Sequence, residues 1–231
     1  MKSSAEFYRE KLYPLQDGVL KIVRDLGLPF YLTGGTALSR HYLHHRFSDD
    51  IDLFLNSDDQ YSKYVDQLMG HISNEKEPSR LEVLHTNIVA TAHYTRFYVG
   101  GYGTELKVDI VNDVPYHFGE FEYDESMGKL DSWRNILSNK VAALFRFEAK
   151  DYLDVWALCK KFDFNWSEVL NEAMHKEASV DPGETSNLFR SFPFEYLSSI
   201  NWIEGFDYSN VKEEFAVIAE DIFFGNQNNL S

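Results

Sequence analysis

Apolar and polar positions change period several times along the 231 residues, and each change predicts an element. Over residues 4–26, Leu12, Leu15, Leu20, Ile22, Val23 and Leu26 form the apolar side of a helix that Pro14 breaks or kinks. Phe30 to Thr33 is a short apolar run ending on Gly34-Gly35, and Thr36 to His45 then reads as a helix. Asp50-Ile-Asp-Leu-Phe-Leu55 alternates as a strand does, so Ile51, Leu53 and Leu55 point one way and Asp50 and Asp52 the other. Ser57-Asp58-Asp59 is an N-cap cluster opening a helix to about Ile72. A polar, proline-containing loop follows over Glu75–Ser79, then strand-like stretches at Leu81–Leu84 and Ile88–Val99. Gly100-Gly-Tyr-Gly103 marks a turn, so Val89–Val99 and Thr104–Val111 are expected to form a hairpin. Its second strand sets Leu106, Val108 and Ile110 on one face and Lys107, Asp109 and Val111 on the other.

Through Pro115–Met127 the chain is mixed, aromatic and acidic, and beyond it strand signals fade. Asp131 is expected to cap a helix running to about Ala149, and Asp151 to open another to about Phe162. Ser167, Pro182 and Ser209 stand near the starts of further helical stretches. The pattern therefore divides into an α/β domain over residues 1–125, with a mixed sheet and flanking helices, and an α-helical domain over residues 126–231. A 44% hydrophobic and 16% aromatic composition supplies enough core for one large or two small domains. Cys159 is the only cysteine, so no intrachain disulfide is expected. The first ten residues lack the apolar core of a signal peptide, and no run approaches the roughly 18 apolar residues of a membrane span. A cytoplasmic protein without a membrane partner is the expectation.

Chemistry gathers around residues 32–54. A diglycine between a strand and a helix leaves backbone N–H groups and the positive end of the helix dipole open to an anion, and a missing Cβ lets phosphate approach closely. Gly34, Gly35 and Thr36 are thus candidate phosphate contacts. Asp50 and Asp52 project together beside that cradle; like charges so close repel, which favours a hard cation such as Mg²⁺, or Mn²⁺, between them, with substrate phosphates alongside. Asp109 is a lone acid in an apolar strand, costly unless paired, hydrogen-bonded or bound to metal, and becomes the third carboxylate. A surface ion pair with Lys107 or Arg96 is its plainer alternative. Lys140 is a point charge able to reach triphosphate oxygens, while Asp151 suits an N-cap and Asp154 lies one turn on.

Gly-Gly-Thr-Ala-Leu followed by His-Arg-Phe-Ser-Asp-Asp-Ile-Asp-Leu-Phe resembles the AbiEii/AbiGii toxin family of nucleotidyltransferases, within the polymerase-β-like superfamily. The segment from Ile136 to Leu158 resembles the Lys…Arg…Lys-Asp-x-x-Asp motif of the same family, about a hundred residues downstream. The resemblance implies a metal-dependent transfer of a nucleotide from an NTP, with Asp50, Asp52 and Asp109 holding metal and Lys140 and Asp154 serving the nucleotide in a cleft between the two domains. It further implies the toxic half of a bacterial toxin–antitoxin or phage-defence system, with a cognate antitoxin and the 3′ end of tRNA as acceptor. Transfer to a protein or small molecule, or a catalytically silent binding module, are the competing readings.

Net charge is −15, from 22 basic and 37 acidic residues, which argues against nucleic-acid binding over the whole surface. Residues 134–161 carry Arg134, Lys140, Arg146, Lys150, Lys160 and Lys161 against Glu148, Asp151 and Asp154, a local +3, whereas residues 163–231 carry 3 basic and 13 acidic residues. RNA is therefore expected to meet the +3 segment, aided by Arg40 and Arg46. His41 and His45 stand four residues apart, but no nearby Glu or Cys completes a zinc site, and a surface helix face accounts for them.

Overall fold

The computed structural model describes residues 4–74 and 81–231; the loop expected over Glu75–Ser79 lies outside the described residues. The chain separates into two compact units that interleave in sequence. One holds Met1–Ala37, Phe47–Pro115 and Glu120–Asp131; the other holds Leu38–Arg46, Tyr116–Gly119 and Ser132–Ser231.

In the first unit the described helices are α1 (Ser4–Phe7), α2 (Tyr13–Asp25), α3 (Gly34–Ala37) and α4 (Tyr61–Asn74), with a π-helical turn over Tyr8–Leu12. Pro14 stands in the first turn of α2, where its missing N–H costs nothing, so the expected break is a π turn leading into a continuous helix. Leu15, Val19, Leu20, Ile22 and Val23 bury one face of α2. Gly27, at φ +61°, ends it: the Gly27 N–H donates to the Arg24 carbonyl and the Leu28 N–H to that of Val23, the paired bonds of a Schellman cap.

The strands β1 (Tyr31–Thr33), β2 (Ile51–Asn56), β3 (Glu82–Ala90), β4 (Tyr94–Gly101), β5 (Thr104–Asp113), β6 (Glu122–Asp124) and β7 (Gly128–Leu130) form one mixed sheet in the order β3-β4-β5-β2-β1-β7-β6. β2 runs parallel to β5 and antiparallel to β1, while β3, β4 and β5 form an antiparallel meander. The alternation read from the sequence places Ile51, Leu53, Leu55, Leu106, Val108 and Ile110 in the core, joined by Phe97 and Val99 of β4. Each such buried side chain contributes about 1.5–3 kcal/mol. Asp50, Asp52, Lys107 and Asp109 are left on the opposite face.

Two strand expectations need correction. Val89–Val99 is not one strand: β3 ends at Ala90, and the Thr91 hydroxyl accepts the Tyr94 N–H at 3.0 Å, turning the chain before β4 begins. Strand structure also does not fade after Pro115. The β6–β7 hairpin extends the sheet beyond β1, its turn closed by Asp124 Oδ1 accepting from the Ser126 and Met127 N–H groups and by Gly128 at φ +81°. Three residues per strand are too few for a period-2 signal to emerge.

The second unit contains α5 (Trp133–Ala143), α6 (Ala149–Cys159), α7 (Trp166–Lys176), α8 (Pro182–Arg190) and α9 (Val211–Phe224), together with a π-helical segment, Leu38–Leu43. Every residue of α6 from Asp151 to Cys159 is buried, which makes it the central helix of that unit. Trp156, Leu153, Val155 and Leu158 of α6 are buried, as are Trp166, Phe189, Phe215 and Ile218 of the other helices of the unit. Ser132, not Asp131, caps α5: its Oγ accepts the Asn135 N–H at 2.9 Å. α5 stops at Ala143 instead of continuing to Ala149, because a 3₁₀ turn follows and Phe147 adopts φ +57°. Asp151 is not an N-cap either; Glu148 holds that position in α6. Among the described residues no helix is long and apolar enough to cross a membrane.

Candidate functional site

In the first unit the β2–β5 register pairs Asp52 with Asp109 on neighbouring parallel strands, and the β4–β5 register pairs Arg96 with Asp109. Paired residues share a sheet face, so sequence alternation and register together assemble an ionic row above an apolar core. Arg96 grips Asp109 with two prongs, Nε to Oδ1 at 2.7 Å and Nη2 to Oδ2 at 3.0 Å, while the Tyr94 hydroxyl donates to Oδ1 at 2.9 Å. Lys107 Nζ lies 2.7 Å from Asp50 Oδ2 and 3.6 Å from Asp109 Oδ2. Burial pushes the Asp109 carboxyl up, but the Arg96 and Tyr94 hydrogen bonds and the Lys107 charge outweigh it and hold its pKa below the ordinary value. The Tyr94 hydroxyl is raised to about 12, first by burial and then by its bond to Asp109. The ion pair weighed as the plainer reading of Asp109 is thus present.

Gly34 opens α3 at φ +66°, and a Cβ built there would collide with Asp52 Oδ2. Glycine is therefore required twice, for the left-handed backbone and for the close approach of a carboxylate. The helix begins at Gly34 itself, two residues before Thr36, so the diglycine forms its first turn, where N–H groups lack intrahelical acceptors. Thr36 is fully buried, and its hydroxyl donates to the Asp50 carbonyl, tying the helix to the entry of β2. Thr33, in register with Asp52, donates to Asp131 Oδ2. That is where Asp131 goes in place of the expected helix cap.

Within the second unit Asp154 is fully buried and collects four donors. Arg46 donates from Nε to Oδ1 and from Nη2 to Oδ2, each at 2.7 Å; His45 Nε2 lies 2.8 Å from Oδ1, and Lys140 Nζ 2.8 Å from Oδ2. Lys140 also reaches Asp151 Oδ1 at 2.6 Å. Burial works against the charge on Asp154, but the Arg46 and Lys140 cations with the His45 and Arg46 hydrogen bonds keep its pKa well below normal. Burial likewise opposes the charge on Lys140, and Asp151 and Asp154 hold its pKa above normal. Burial dominates at His45 and lowers its pKa, so the imidazole is neutral and donates from Nε2, leaving Nδ1 buried without a partner. Two cations (Arg46, Lys140) face two carboxylates (Asp151, Asp154), so the network is internally neutral.

The sequence profile of the "Nucleotidyl transferase AbiEii toxin, Type IV TA system" family matches residues 21–216, well over half of the chain. The chain belongs to the AbiEii family. It is accordingly a nucleotidyltransferase of a toxin family. Comparison with curated protein sequences finds no match. Among solved structures, JHP933 from Helicobacter pylori superposes with a TM-score of 0.64 at 20% identity, covering 97% of this chain and 94% of the other. MenT4, a nucleotidyltransferase toxin from Mycobacterium tuberculosis, superposes with a TM-score of 0.63 at 14% identity, covering 97% and 90%. At such identities the likeness establishes the shared nucleotidyltransferase fold, a mixed seven-stranded sheet with flanking helices.

For this AbiEii member the structure brings Gly34 and Asp52 together, and Asp50, Lys107, Asp109 and Arg96 together, within one unit. Lys140 and Asp154 meet in the other unit. Lys140 is no flexible point charge, since two carboxylates anchor it at 13% side-chain exposure. His45 and Arg46 are not surface residues: both are buried against Asp154, which removes Arg46 as an RNA contact. The +3 segment is also largely spent internally. Arg134 pairs with Glu168 and Glu172, Lys160 with Glu214, and Lys161 donates to the Tyr42 carbonyl, whereas Arg146 keeps 70% of its side chain exposed. Nothing in the local sequence pattern marks Tyr94 or His45; only contact across strands, or across a hundred residues, brings them to Asp109 and Asp154.

Proposed function

We propose that this protein transfers a nucleotide from an NTP to the 3′ end of an RNA, with tRNA as the acceptor, and that Asp50, Asp52 and Asp109 form its catalytic centre. The observation carrying this reading is the register pair Asp52–Asp109 set against Gly34, whose missing side chain lets a carboxylate stand at the opening of a helix suited to phosphate. Carboxylate oxygens are the donors a hard divalent cation prefers, and adjacent strands hold them on one face, so the residues fit Mg²⁺ or Mn²⁺ by type and register. Among the described residues no three acidic, His or Cys side chains converge on one point; Lys107 draws Asp50 aside and Arg96 draws Asp109, and metal binding entails exchange of these pairs. A bound divalent ion would supply charge neutralisation at the triphosphate and acidify the attacking hydroxyl.

The chain's own groups do the rest. Gly34 and Gly35 offer backbone N–H groups to the β- and γ-phosphates, and Thr36 fixes the helix to the Asp50 carbonyl instead of touching phosphate. The acceptor oxygen forms a bond to the α-phosphorus as the bond from that phosphorus to its bridging oxygen breaks. The electron pair leaves with pyrophosphate, and the hydroxyl proton passes to the Asp50 carboxylate. Within the second unit Asp154, enclosed by four donors, acts as a positioning residue for Lys140 and does not itself contact nucleotide. Membership of a toxin–antitoxin family supports a cognate antitoxin. Incubation with labelled NTPs, Mg²⁺ and total tRNA tests the acceptor: label on tRNA is expected, and label confined to a protein or a small molecule overturns it.

A further inference from the structure

Beside the carboxylates the first unit carries a cavity of about 440 Å³, lined by Phe7, Leu12, Asp49, Asp50, Tyr98, Glu105 and Lys107. Its position follows from strand order. In β4-β5-β2-β1, the phosphate-facing glycines follow β1 on one side of β2, whereas Tyr98 on β4 and Lys107 and Glu105 on β5 lie on the other. Displacement at phosphorus is in line, so the attacking hydroxyl must come from the side opposite the leaving pyrophosphate. With the phosphates toward β1, the acceptor comes from the β5–β4 side, where this cavity opens onto Asp50.

The lining describes what it takes. Its volume falls within the roughly 300–1,000 Å³ of small-ligand sites. Three acids (Asp49, Asp50, Glu105) against one cation (Lys107) give a charge of −2, which disfavours a triphosphate here, while the carboxylate oxygens are acceptors for an uncharged N–H donor. Phe7 is 36% exposed on α1, and the next residue, Tyr8, is fixed by stacking on Phe47 at 4.2 Å and by donating to Asp49. Tyr98, in register with Lys107, offers a second ring for a flat base. Glu105 is exposed near the β4–β5 turn, and a carboxylate in such a position accepts from an exocyclic amino group as carboxylates do from cytosine N4.

We infer that this cavity is the acceptor subsite and receives the amino-bearing terminal nucleoside, cytidine or adenosine, of an RNA strand, its base against Phe7 and Tyr98, its amino group on Glu105 and its hydroxyl at Asp50. The inference rests on the proposed RNA transfer and adds which chain ends are used. The test compares short RNAs identical except for a 3′-terminal cytidine or uridine, whose exocyclic amine is replaced by a carbonyl. For the wild-type protein kcat/KM is expected to favour the cytidine end by at least about tenfold, in line with the cost of one lost recognition bond. Glu105→Gln, whose amide can donate or accept, is expected to bring that ratio within about threefold. Phe7→Ala and Tyr98→Ala are expected to raise KM for RNA about tenfold, with NTP binding by calorimetry unchanged. RNA labelling with no preference for either end, or a ratio that survives Glu105→Gln, overturns the subsite and leaves the RNA transfer standing. Label on an amine-rich small molecule and none on RNA overturns both.

Discussion

At Gly34 two demands meet on one atom that is absent. Its φ of +66° penalises any side chain by about 1–2 kcal/mol, and a methyl would also displace Asp52 Oδ2. Gly34→Ala is expected to lower stability by about 1–3 kcal/mol and transfer by more than about a hundredfold, since the carboxylate beside the phosphates must move. Thermal melts and turnover measured together check both terms. Asp109 makes a pH prediction. Its folded-state pKa is depressed, so its ion pair stabilises the fold above the ordinary carboxylate value near about 3.9, and that contribution is lost as pH falls through the lower folded value. The difference in Tm between wild type and Arg96→Met is expected to be full at neutral pH and to close below about pH 4; a gap unchanged at low pH would contradict the assignment. Gly34, Asp50 and Asp52 were legible because glycine and alternating acids leave a local signature. The Arg96 clamp was legible only as an alternative, because its choice of partner is a matter of register between strands.

Elements with several turns of period, such as β2, β5, α2 and α4, emerge where the alternation places them. Those decided by one or two hydrogen bonds do not. β6 and β7 owe their existence to the Asp124 turn, and the end of α5 to one left-handed residue, Phe147. The joining of α5 and α6 by Lys140, Asp151 and Asp154 is a third case, where Asp151, read as a cap, is an ion-pair partner. Breaking one member of a buried network leaves its partners uncompensated, which typically costs about 3–5 kcal/mol. Asp154→Asn is expected to fall in that range, because Arg46 and Lys140 lose their shared anion. Lys140→Met is expected to cost less, since Arg46 still neutralises Asp154. Denaturant unfolding of the two variants ranks them, and the reverse order would contradict the network as described.

Across the whole chain, a net charge of −15 sets the terms for any RNA. Most cations of the +3 segment are engaged by acids or carbonyls, so few phosphates are held: the salt dependence of RNA binding is expected to correspond to about two contacts, and Arg146→Glu to reduce it further. A slope of five or more, by the same principle, would reveal a basic surface that these pairings do not leave. Composition announced the acidic chain but not which cations were spent, because ion pairing is a property of the folded molecule.

The central claim is that the Asp52–Asp109 pair beside Gly34 performs the transfer, and one measurement reaches it most directly: label transfer from NTP by Asp52→Asn, alongside its thermal melt. Replacing the Asp52 carboxylate by its neutral isostere is expected to leave the protein folded and to abolish labelling of any acceptor. Full turnover by a folded Asp52→Asn protein would contradict the account.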